Sequence, residues 1–317
     1  MIRIATRRSA LARAQAHQTG LRITERTGQP FELVALSSTG DDHPDRRIED
    51  FYAPGPDGQP TDVKGLFVDH IREAVLSGDC HVAVHSFKDV PTQAHPDLHI
   101  GAIPGREDPR DLLVTRDGTT FANLPATCIV GTSSERRRLQ LLRVKPGLQV
   151  LPLRGNIDTR LRKVAEGEYD AVVVALAGVK RLYTSPERGG IGALDLPLLA
   201  VPLEPGEMVP APAQGAIAIE CRADDARTRS LLEAVDHLPS RRSVETERAF
   251  LAALGAGCTT PAGALCTLTG LGGLELLGML GDPKNRRVLR LSTAGGFDQG
   301  IEIGTRLGNE MRATLAA

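Results

Sequence analysis

Short apolar runs rich in β-branched residues alternate along the chain with longer stretches whose apolar positions recur three and four residues apart. The short runs predict strands, and the longer amphipathic stretches predict helices. Because strands and helices alternate, we expect the α/β class, with most strands buried between helices. The predicted strands are residues 2–5, 33–36, 82–84, 112–114, 129–130, 171–176 and 216–219, and the predicted helices are residues 9–22, 67–76, 134–143 and 159–165.

Proline and glycine cluster in residues 54–60, 104–109 and 202–212, which indicates one flexible loop and then two crossings between domains. A chain of 317 residues exceeds what a single core usually holds. We therefore predict that the chain leaves its first domain and later returns to it. The predicted boundaries are 1–104 with 203–222 for domain 1, 105–202 for domain 2, and 226–317 for a small α+β domain 3.

A long polar stretch, residues 42–63, interrupts the first predicted domain and has no hydrophobic periodicity. Loops of this length within a domain are either functional lids or disordered insertions. Both interpretations stay open from the sequence.

Two strand-to-helix junctions have the same pattern. IATRRSALARAQ at residues 4–15 and IVGTSSERRRLQLL at residues 129–142 both pass through hydroxyl residues into an arginine-rich helix start. We interpret them as counterparts in two similar domains. Free N–H groups and the positive end of the helix dipole make such starts anion sites. Helix capping alone is the simpler explanation for either junction taken singly.

The composition narrows the possible partners. A hydrophobic fraction of 41% and a net charge of -1 indicate a folded protein without an excess of charge directed at nucleic acid or membrane. Aromatic residues make up only 3%, which leaves little for stacking on bases. No apolar run approaches the roughly 20 residues that span a bilayer, and the start of the sequence lacks the layout of a signal peptide. We expect a cytoplasmic protein.

The cysteines and histidines are dispersed. The five cysteines include no CxxC pair, and the eight histidines include no helical metal motif such as HExxH. We therefore expect free thiols and no metal site.

Arginine is concentrated in the middle of the chain, at predicted strand ends and helix starts. Guanidinium groups bind carboxylates and phosphates through paired hydrogen bonds, so their convergence would form a local basic cleft for a small polyanion. A solvated helix face explains Arg138 and Arg162 better. Arg154, within the apolar LPLRGN, needs a partner at its strand end.

Lys88 and Asp89 follow an apolar strand in VAVHSFKDVPT. Ligands of open α/β sheets bind at the carboxyl ends of strands, where an aspartate can stabilise a developing cation or exchange a proton with a leaving amine. A simple turn before Pro91 is the alternative. Cys258, in the glycine-rich LGAGCTTPAG, is the best candidate nucleophile, and a buried inert cysteine is the alternative.

A series of segments from residue 4 to residue 263 resembles the porphobilinogen deaminase (hydroxymethylbilane synthase) family, in the family's order. No single segment decides the matter, but their joint occurrence by chance is not credible. The segments are IATRRSALA, STGD, KGLFV, VAVHSFKDVP, GREDPRD, IVGTSSERRR, LRGNIDTRL, YDAVVVALAGVKRL, QGAIAIECR, ETERAF and GCTTPAG.

The resemblance implies an enzyme of tetrapyrrole biosynthesis. It implies that Cys258 carries a dipyrromethane cofactor through a thioether, and that this cofactor acts as a primer. Four porphobilinogen molecules are then added with loss of ammonia, and hydrolysis releases hydroxymethylbilane. The family's architecture implies two domains with a fold like periplasmic binding proteins, a third that bears the cysteine loop, and a monomer.

The resemblance also assigns roles to individual residues. Asp89 is implied as the catalytic carboxylate, because it would stabilise the electron-poor azafulvene left by loss of the aminomethyl nitrogen. The implied cofactor contacts are Lys88, Asp89, Thr132, Ser133, Ser134, Arg136 and Arg137, and the implied substrate contacts are Arg7, Ser9, Lys64, Arg154, Arg160 and Arg181.

The sequence departs from the family pattern at Ala213, at Ala256 and at Glu135. Glu135 adds a carboxylate beside Arg136 and could compete with substrate for it. The main alternative function is a non-enzymatic anion-binding protein of the same architecture. Such a protein would need neither a reactive Cys258 nor Asp89, so covalent occupancy of Cys258 separates the two. A nucleic-acid-binding role fits the composition less well.

Overall fold

The computed structural model describes residues 1–36, 65–183, 196–255, 260–270 and 272–316. The chain divides into two compact units, one of residues 1–106 with 216–241 and one of residues 107–215 with 242–317. The boundaries of the three predicted domains remain a proposal. The predicted lid at 42–63 lies outside the described residues.

The strands and helices are numbered in chain order. The strands are β1 (Ile2–Arg7), β2 (Phe31–Leu36), β3 (Val82–Ser86), β4 (Leu98–Ala102), β5 (Asp111–Thr115), β6 (Ile129–Gly131), β7 (Gln149–Leu151), β8 (Ala171–Ala175), β9 (Leu199–Leu203), β10 (Ile217–Arg222), β11 (Ala262–Leu268), β12 (Gly273–Asp282) and β13 (Arg287–Gly296). The helices are α1 (Ala10–Thr27), α2 (Gly65–Leu76), α3 (Glu135–Val144), α4 (Ile157–Ala165), α5 (Leu176–Tyr183), α6 (Ala226–Glu233), α7 (Leu238–Ala253) and α8 (Gly300–Ala316).

The first unit contains a five-stranded sheet in the order β2-β1-β3-β10-β4. Strand β1 runs parallel to β2 and β3, whereas β10 is antiparallel to β3 and β4. Successive side chains point to opposite faces, so Val82 and Val84 pack in one core with Ile4, while Ala83 packs in another with Ile71 of α2.

The second unit contains a five-stranded sheet in the order β7-β6-β8-β5-β9. Strand β6 runs parallel to β7 and β8, and β5 is antiparallel to β8 and β9. The two sheets therefore share one arrangement, in which β1 and β6 hold equivalent places. Ser9 caps α1 after β1, and Ser134 caps α3 after β6. The prediction that the two junctions are counterparts is confirmed.

The second unit also contains an antiparallel sheet of β11, β12 and β13. Phe250 of α7 and Leu307 and Met311 of α8 are buried with Leu276 in its core. The α/β class with a smaller α+β C-terminal part is thus confirmed. None of the helices within the described ranges is long and apolar enough to cross a membrane.

Candidate active site

In the first unit the predicted site residues collect at the carboxyl ends of β1 and β3. Arg7 ends β1, and Ser9 follows two residues later. Lys88 and Asp89 lie in a one-turn 3-10 helix, Phe87–Asp89, directly after β3. Because β1 and β3 are parallel neighbours, these four residues share one edge of the sheet. The turn that the sequence suggested is therefore present, and it lies at the carboxyl edge of the sheet.

Asp89 is half-buried at this edge. Within the described part of the chain, no hydrogen bond or ion pair engages its carboxylate. Its neighbours hold the turn in place, since Phe87 is 2% exposed and its N–H donates to the carbonyl of Ala216 at 3.0 Å. A half-buried carboxylate on a fixed backbone suits contact with a cationic or proton-bearing ligand group.

In the second unit, Thr132, Ser133 and Ser134 follow β6, and all three hydroxyl groups serve the local fold. Thr132 Oγ1 accepts the N–H of Ser134 at 3.1 Å, and Ser134 Oγ accepts the N–H of Arg137 at 3.5 Å. Ser133 Oγ donates to the carbonyl of Leu153 at 3.0 Å. The capping explanation is therefore confirmed for this junction, and any ligand contact would add to it.

Arg136 and Arg137 converge on one buried carboxylate, that of Asp111 at the start of β5. Arg136 Nη1 lies 2.9 Å from Oδ2, and Arg137 Nη2 lies 2.7 Å from Oδ1. Gln214 Nε2 donates to the same Oδ1 at 2.8 Å. Backbone carbonyls complete the contacts, because Arg136 Nη1 donates to Val209 at 2.6 Å and Arg137 Nη1 donates to Val173 at 2.8 Å.

This cluster is buried and carries a surplus of positive charge. Asp111 is fully buried, and Arg136 and Arg137 are each 6% exposed. Burial alone would raise the pKa of Asp111, but the two guanidinium charges outweigh it and hold that pKa well below its usual range. Burial lowers the pKa of Arg136 despite the ion pair. One carboxylate thus faces two cations.

Arg160 adds a further positive charge near this cluster. Its Nε donates to the carbonyl of Gly155 at 2.8 Å, and no carboxylate of the described residues pairs with it. Burial, together with repulsion from Arg137 and Arg154, lowers the pKa of Arg160 to about 10. Arg181 of α5 donates from Nη2 to the carbonyl of Gly215 at 2.7 Å. Arg160 thus adds a buried positive charge beside Arg137.

The structure corrects one expectation about Glu135. Its carboxylate pairs with Arg138 three residues along α3, with Arg138 Nε at 2.7 and 2.8 Å from the two oxygens, rather than with Arg136. The helix geometry explains this choice, because residues three apart lie on one face while Arg136 turns towards Asp111. Arg138 and the exposed Arg162 belong to the helix surface, as expected.

Sequence reasoning missed the acidic partners. Asp111 begins the fully buried strand DLLVT, and a carboxylate opening such a run needs a buried cation, which was the available signal. In the first unit Glu220 stands inside the buried strand β10 in the same way. It contacts His85 and Arg72, both of which are also buried.

Some predicted site residues cannot be placed. Lys64, Ala256 and Cys258 lie outside the described residues; α7 ends at Ala253, five residues before Cys258. Four other cysteines are free thiols, and three of them are buried: Cys80, Cys221 and Cys266. Burial raises the pKa of Cys221 to about 11, which makes it a poor nucleophile. Among the described side chains, no group of His, Cys, Asp or Glu is placed to hold a metal ion.

Comparison with known proteins gave matches over nearly the whole chain. The model of the "Porphobilinogen deaminase, dipyromethane cofactor binding domain" matches residues 2–230, and that of the "Porphobilinogen deaminase, C-terminal domain" matches residues 242–313. A porphobilinogen deaminase of Acidothermus cellulolyticus is 41% identical over 315 residues, which cover 98% of this chain and 88% of that protein. One of Mycolicibacterium gilvum is 40% identical over 319 residues, covering 98% and 95%.

Two solved structures that match the chain are remote relatives in sequence. The second substrate binding domain of Lactococcus lactis GlnP has a TM-score of 0.39 and 11% identity, covering 80% of this chain and 90% of that one. The periplasmic VFT2 domain of Bordetella pertussis BvgS has a TM-score of 0.38 and 15% identity, covering 74% and 86%. At these scores the matches add nothing to the description of the fold.

Proposed function

The chain belongs to the porphobilinogen deaminase family, and from that premise we propose that it joins four porphobilinogen molecules head to tail with loss of ammonia. The product of the proposed reaction is hydroxymethylbilane, a linear tetrapyrrole released by hydrolysis. We propose a transferase that acts as a monomer in the cytoplasm. The observation that carries the proposal is the surplus of arginine charge around Asp111 and Arg160.

The arginine cluster fits ligands with several carboxylates. Porphobilinogen and dipyrromethane carry acetate and propionate side chains on every pyrrole ring. Bidentate contacts with guanidinium groups are the usual way in which proteins hold carboxylates. Burial, with repulsion from Arg137 and Arg154, lowers the pKa of Arg160, and a ligand carboxylate beside it would raise that pKa again. The second unit therefore supports binding of a polycarboxylate pyrrole.

We assign the roles of the individual residues as follows. Arg136 and Arg137, with Thr132, Ser133 and Ser134, would hold the dipyrromethane, and Cys258 would attach it through a thioether. When bound, the dipyrromethane supplies the pyrrole end to which substrate units are joined. The substrate carboxylates would contact Arg7, Ser9, Lys64, Arg154, Arg160 and Arg181.

Asp89 is the proposed catalytic group, with Lys88 beside it. Cleavage of the aminomethyl C–N bond of porphobilinogen releases ammonia and leaves a positive charge spread over the pyrrole. A carboxylate near that charge stabilises it and exchanges the protons of the leaving amine and of the ring nitrogen. Asp89 is suited to this work because its own side chain has no hydrogen bond to any described residue.

Intact-protein mass spectrometry tests the attachment site. The purified protein should carry an added mass of two linked pyrrole units, and Cys258→Ala should lack it. Cys128→Ala is the matched control, because Cys128 is also a free thiol and is partly exposed, and this variant should retain the adduct. A folded wild-type protein that stays unmodified after incubation with porphobilinogen would favour the non-enzymatic anion-binding alternative.

Turnover of porphobilinogen tests the catalytic group. Asp89→Asn should lower kcat by about 100-fold or more, which is typical for loss of a group that handles protons. Asp97→Asn, an exposed aspartate of the same unit, should leave kcat unchanged. Equal kcat values for wild type and Asp89→Asn would remove Asp89 from the mechanism.

A further inference from the structure

A buried polar triad lies between α2 and the first sheet. Arg72 of α2 contacts both carboxylate oxygens of Glu220, with Nε at 2.9 Å and Nη2 at 2.7 Å. His85 of β3 places its Nε2 3.1 Å from Glu220 Oε2. The three side chains are between 3% and 8% exposed. Strand pairing sets this contact, because β10 is antiparallel to β3 with Ala218 opposite His85, which puts Glu220 diagonally next to the ring on the same face.

The contact with His85 is not needed to neutralise Glu220. The bidentate contact from Arg72 already matches the carboxylate charge and occupies both oxygens. Although burial would raise it, the pKa of Glu220 falls to about 2, because Arg72 and His85 stabilise the ionised form. Apolar side chains in place of a buried ion pair often give equal or higher stability. Stability alone therefore does not explain why this triad is present. The position of His85 in the chain suggests a different role.

His85 is four residues before Asp89, and the segment between them is fixed on both faces of the sheet. His85 contacts Glu220 on the α2 face, while Ser86 exchanges hydrogen bonds with Gln15 of α1 at 2.9 and 3.1 Å on the other. The N–H of Val90 then donates to the carbonyl of Phe87 at 3.2 Å and closes the turn that holds Asp89. These lateral contacts thus hold the strand end that carries Asp89, whose carboxylate has no hydrogen bond or ion pair with any residue the structure describes.

We infer that the Arg72–Glu220–His85 triad positions the strand end that carries Asp89, with His85 acting as a positioning residue through the 3.1 Å contact between its Nε2 and Glu220 Oε2. The inference rests on the proposed function, since it takes Asp89 as the group that acts on the substrate. Small displacements of a reacting group lower the rate steeply, so loss of the His85–Glu220 contact should reduce kcat by about 10- to 100-fold. None of the proposed substrate contacts belongs to the triad, so KM should stay within about twofold.

Steady-state kinetics of two variants at His85 and one control variant at His99 test this. His85→Leu removes the polar ring that contacts Glu220 and should lower kcat as stated. His85→Gln places an amide N–H near the position of Nε2 and should restore most of kcat. His99→Leu is the control, because His99 is an exposed histidine on β4 of the same sheet, and it should match the wild type. Thermal unfolding of each variant checks that it is folded, so that kinetic constants are compared between folded proteins.

If His85→Leu does not fold, His85→Asn replaces it, since its amide is one methylene too short to reach Glu220. Asn should then show the low kcat and Gln the high one. Wild-type kcat in the Leu or Asn variant overturns the inference, and so does an equal loss of kcat in Gln, or a change confined to KM. A wild-type protein with no turnover of porphobilinogen instead contradicts the proposed function itself, which keeps the two failures distinct.

Discussion

Ala213 and Gly215 both have positive φ angles, of 62° and 86°, in the segment that precedes β10. The left-handed region is open to glycine but costs an L-residue about 1 kcal/mol or more. Gly215 is further constrained, because an added Cβ would overlap the backbone carbonyl oxygen of Glu107. Ala213 tolerates its strain because it is buried and its N–H donates to Glu247 Oε2 at 2.7 Å.

Gly215→Ala should therefore destabilise the protein by about 2–4 kcal/mol, since the strained φ angle and the backbone overlap act together. Ala213→Gly is the reverse change in the same segment. Relief of strain and the added freedom of the unfolded chain nearly cancel there, so stability should stay within about 1 kcal/mol of the wild type. Thermal and urea unfolding of both variants measure this. Equal midpoints for Gly215→Ala and the wild type would show that the approach to Glu107 imposes no constraint.

For single residues, the sequence predicted local roles such as helix capping better than it predicted which distant residues pair with each other. Hydroxyl caps at Ser9 and Ser134 are confirmed because capping is local and depends on the next three residues. Asp111 was missed as a partner of Arg136 and Arg137 because it lies about two dozen residues away in sequence, and only the pairing of β5 with β8 brings them together. Local patterns carry no information on such pairings.

Helices α7 and α8 approach closely because α8 presents glycine at every fourth position, 300, 304 and 308. A Cβ on Gly304 would overlap the carbonyl oxygen of Thr246, and one on Gly308 would lie 2.6 Å from that of Phe250. Residues four apart share one face of a helix, so the three positions form one smooth contact surface. Helix α7 ends at Ala253, five residues before Cys258 in the sequence, so this contact also fixes the last described helix before that residue.

Gly304→Ala should lower stability by about 2–4 kcal/mol, although alanine is the better helix former, because α8 would have to move away from α7. Thr305→Ala is the matched control on the exposed face of the same helix and should be neutral or slightly stabilising. Unfolding midpoints measure the difference. A stabilised Gly304→Ala protein would mean that the two helices are not in such close contact.

Most elements were predictable, and the failures have physical causes. All seven predicted strands are present, but residue 176 begins α5 instead of ending β8. Strands β4, β7 and β9 were missed. Strand β7 has only three residues, while β9 is an edge strand that contains Pro202. Short or edge strands lack the apolar run on which the prediction depends, since one side of them remains in contact with solvent.

On the scale of the whole molecule, each unit contains its own buried carboxylate held by arginine. Glu220 pairs with Arg72 in the first unit, and Asp111 pairs with Arg136 and Arg137 in the second. Both carboxylates have lowered pKa values. A lowered pKa in the folded state means that the stabilisation is complete above the unfolded-state pKa, 4.5 for Glu220, and is lost as the pH falls towards the folded value.

Acid unfolding should therefore develop below about pH 4.5, and Glu220→Gln should alter its pH dependence. At pH 7 this variant should be less stable by about 3 kcal/mol, since Arg72 loses its anion, and the deficit should shrink as the pH falls from 4.5 to 2. Urea titrations at several pH values measure it. Glu233→Gln, an exposed glutamate of α6, should follow the wild type throughout. A deficit independent of pH would mean that Glu220 is not the titrating group.

The order of strands in the first sheet has a consequence for synthesis on the ribosome. Strand β10 lies between β3 and β4, yet residues 107–215 are translated before it. Throughout that interval the nascent chain contains β3 and β4 with unpaired edges, and β4 has no other partner among the described strands. Unpaired strand edges attract other chains. The first sheet therefore cannot be completed until β10 has been synthesised, and its open edges stay available to other chains for that interval.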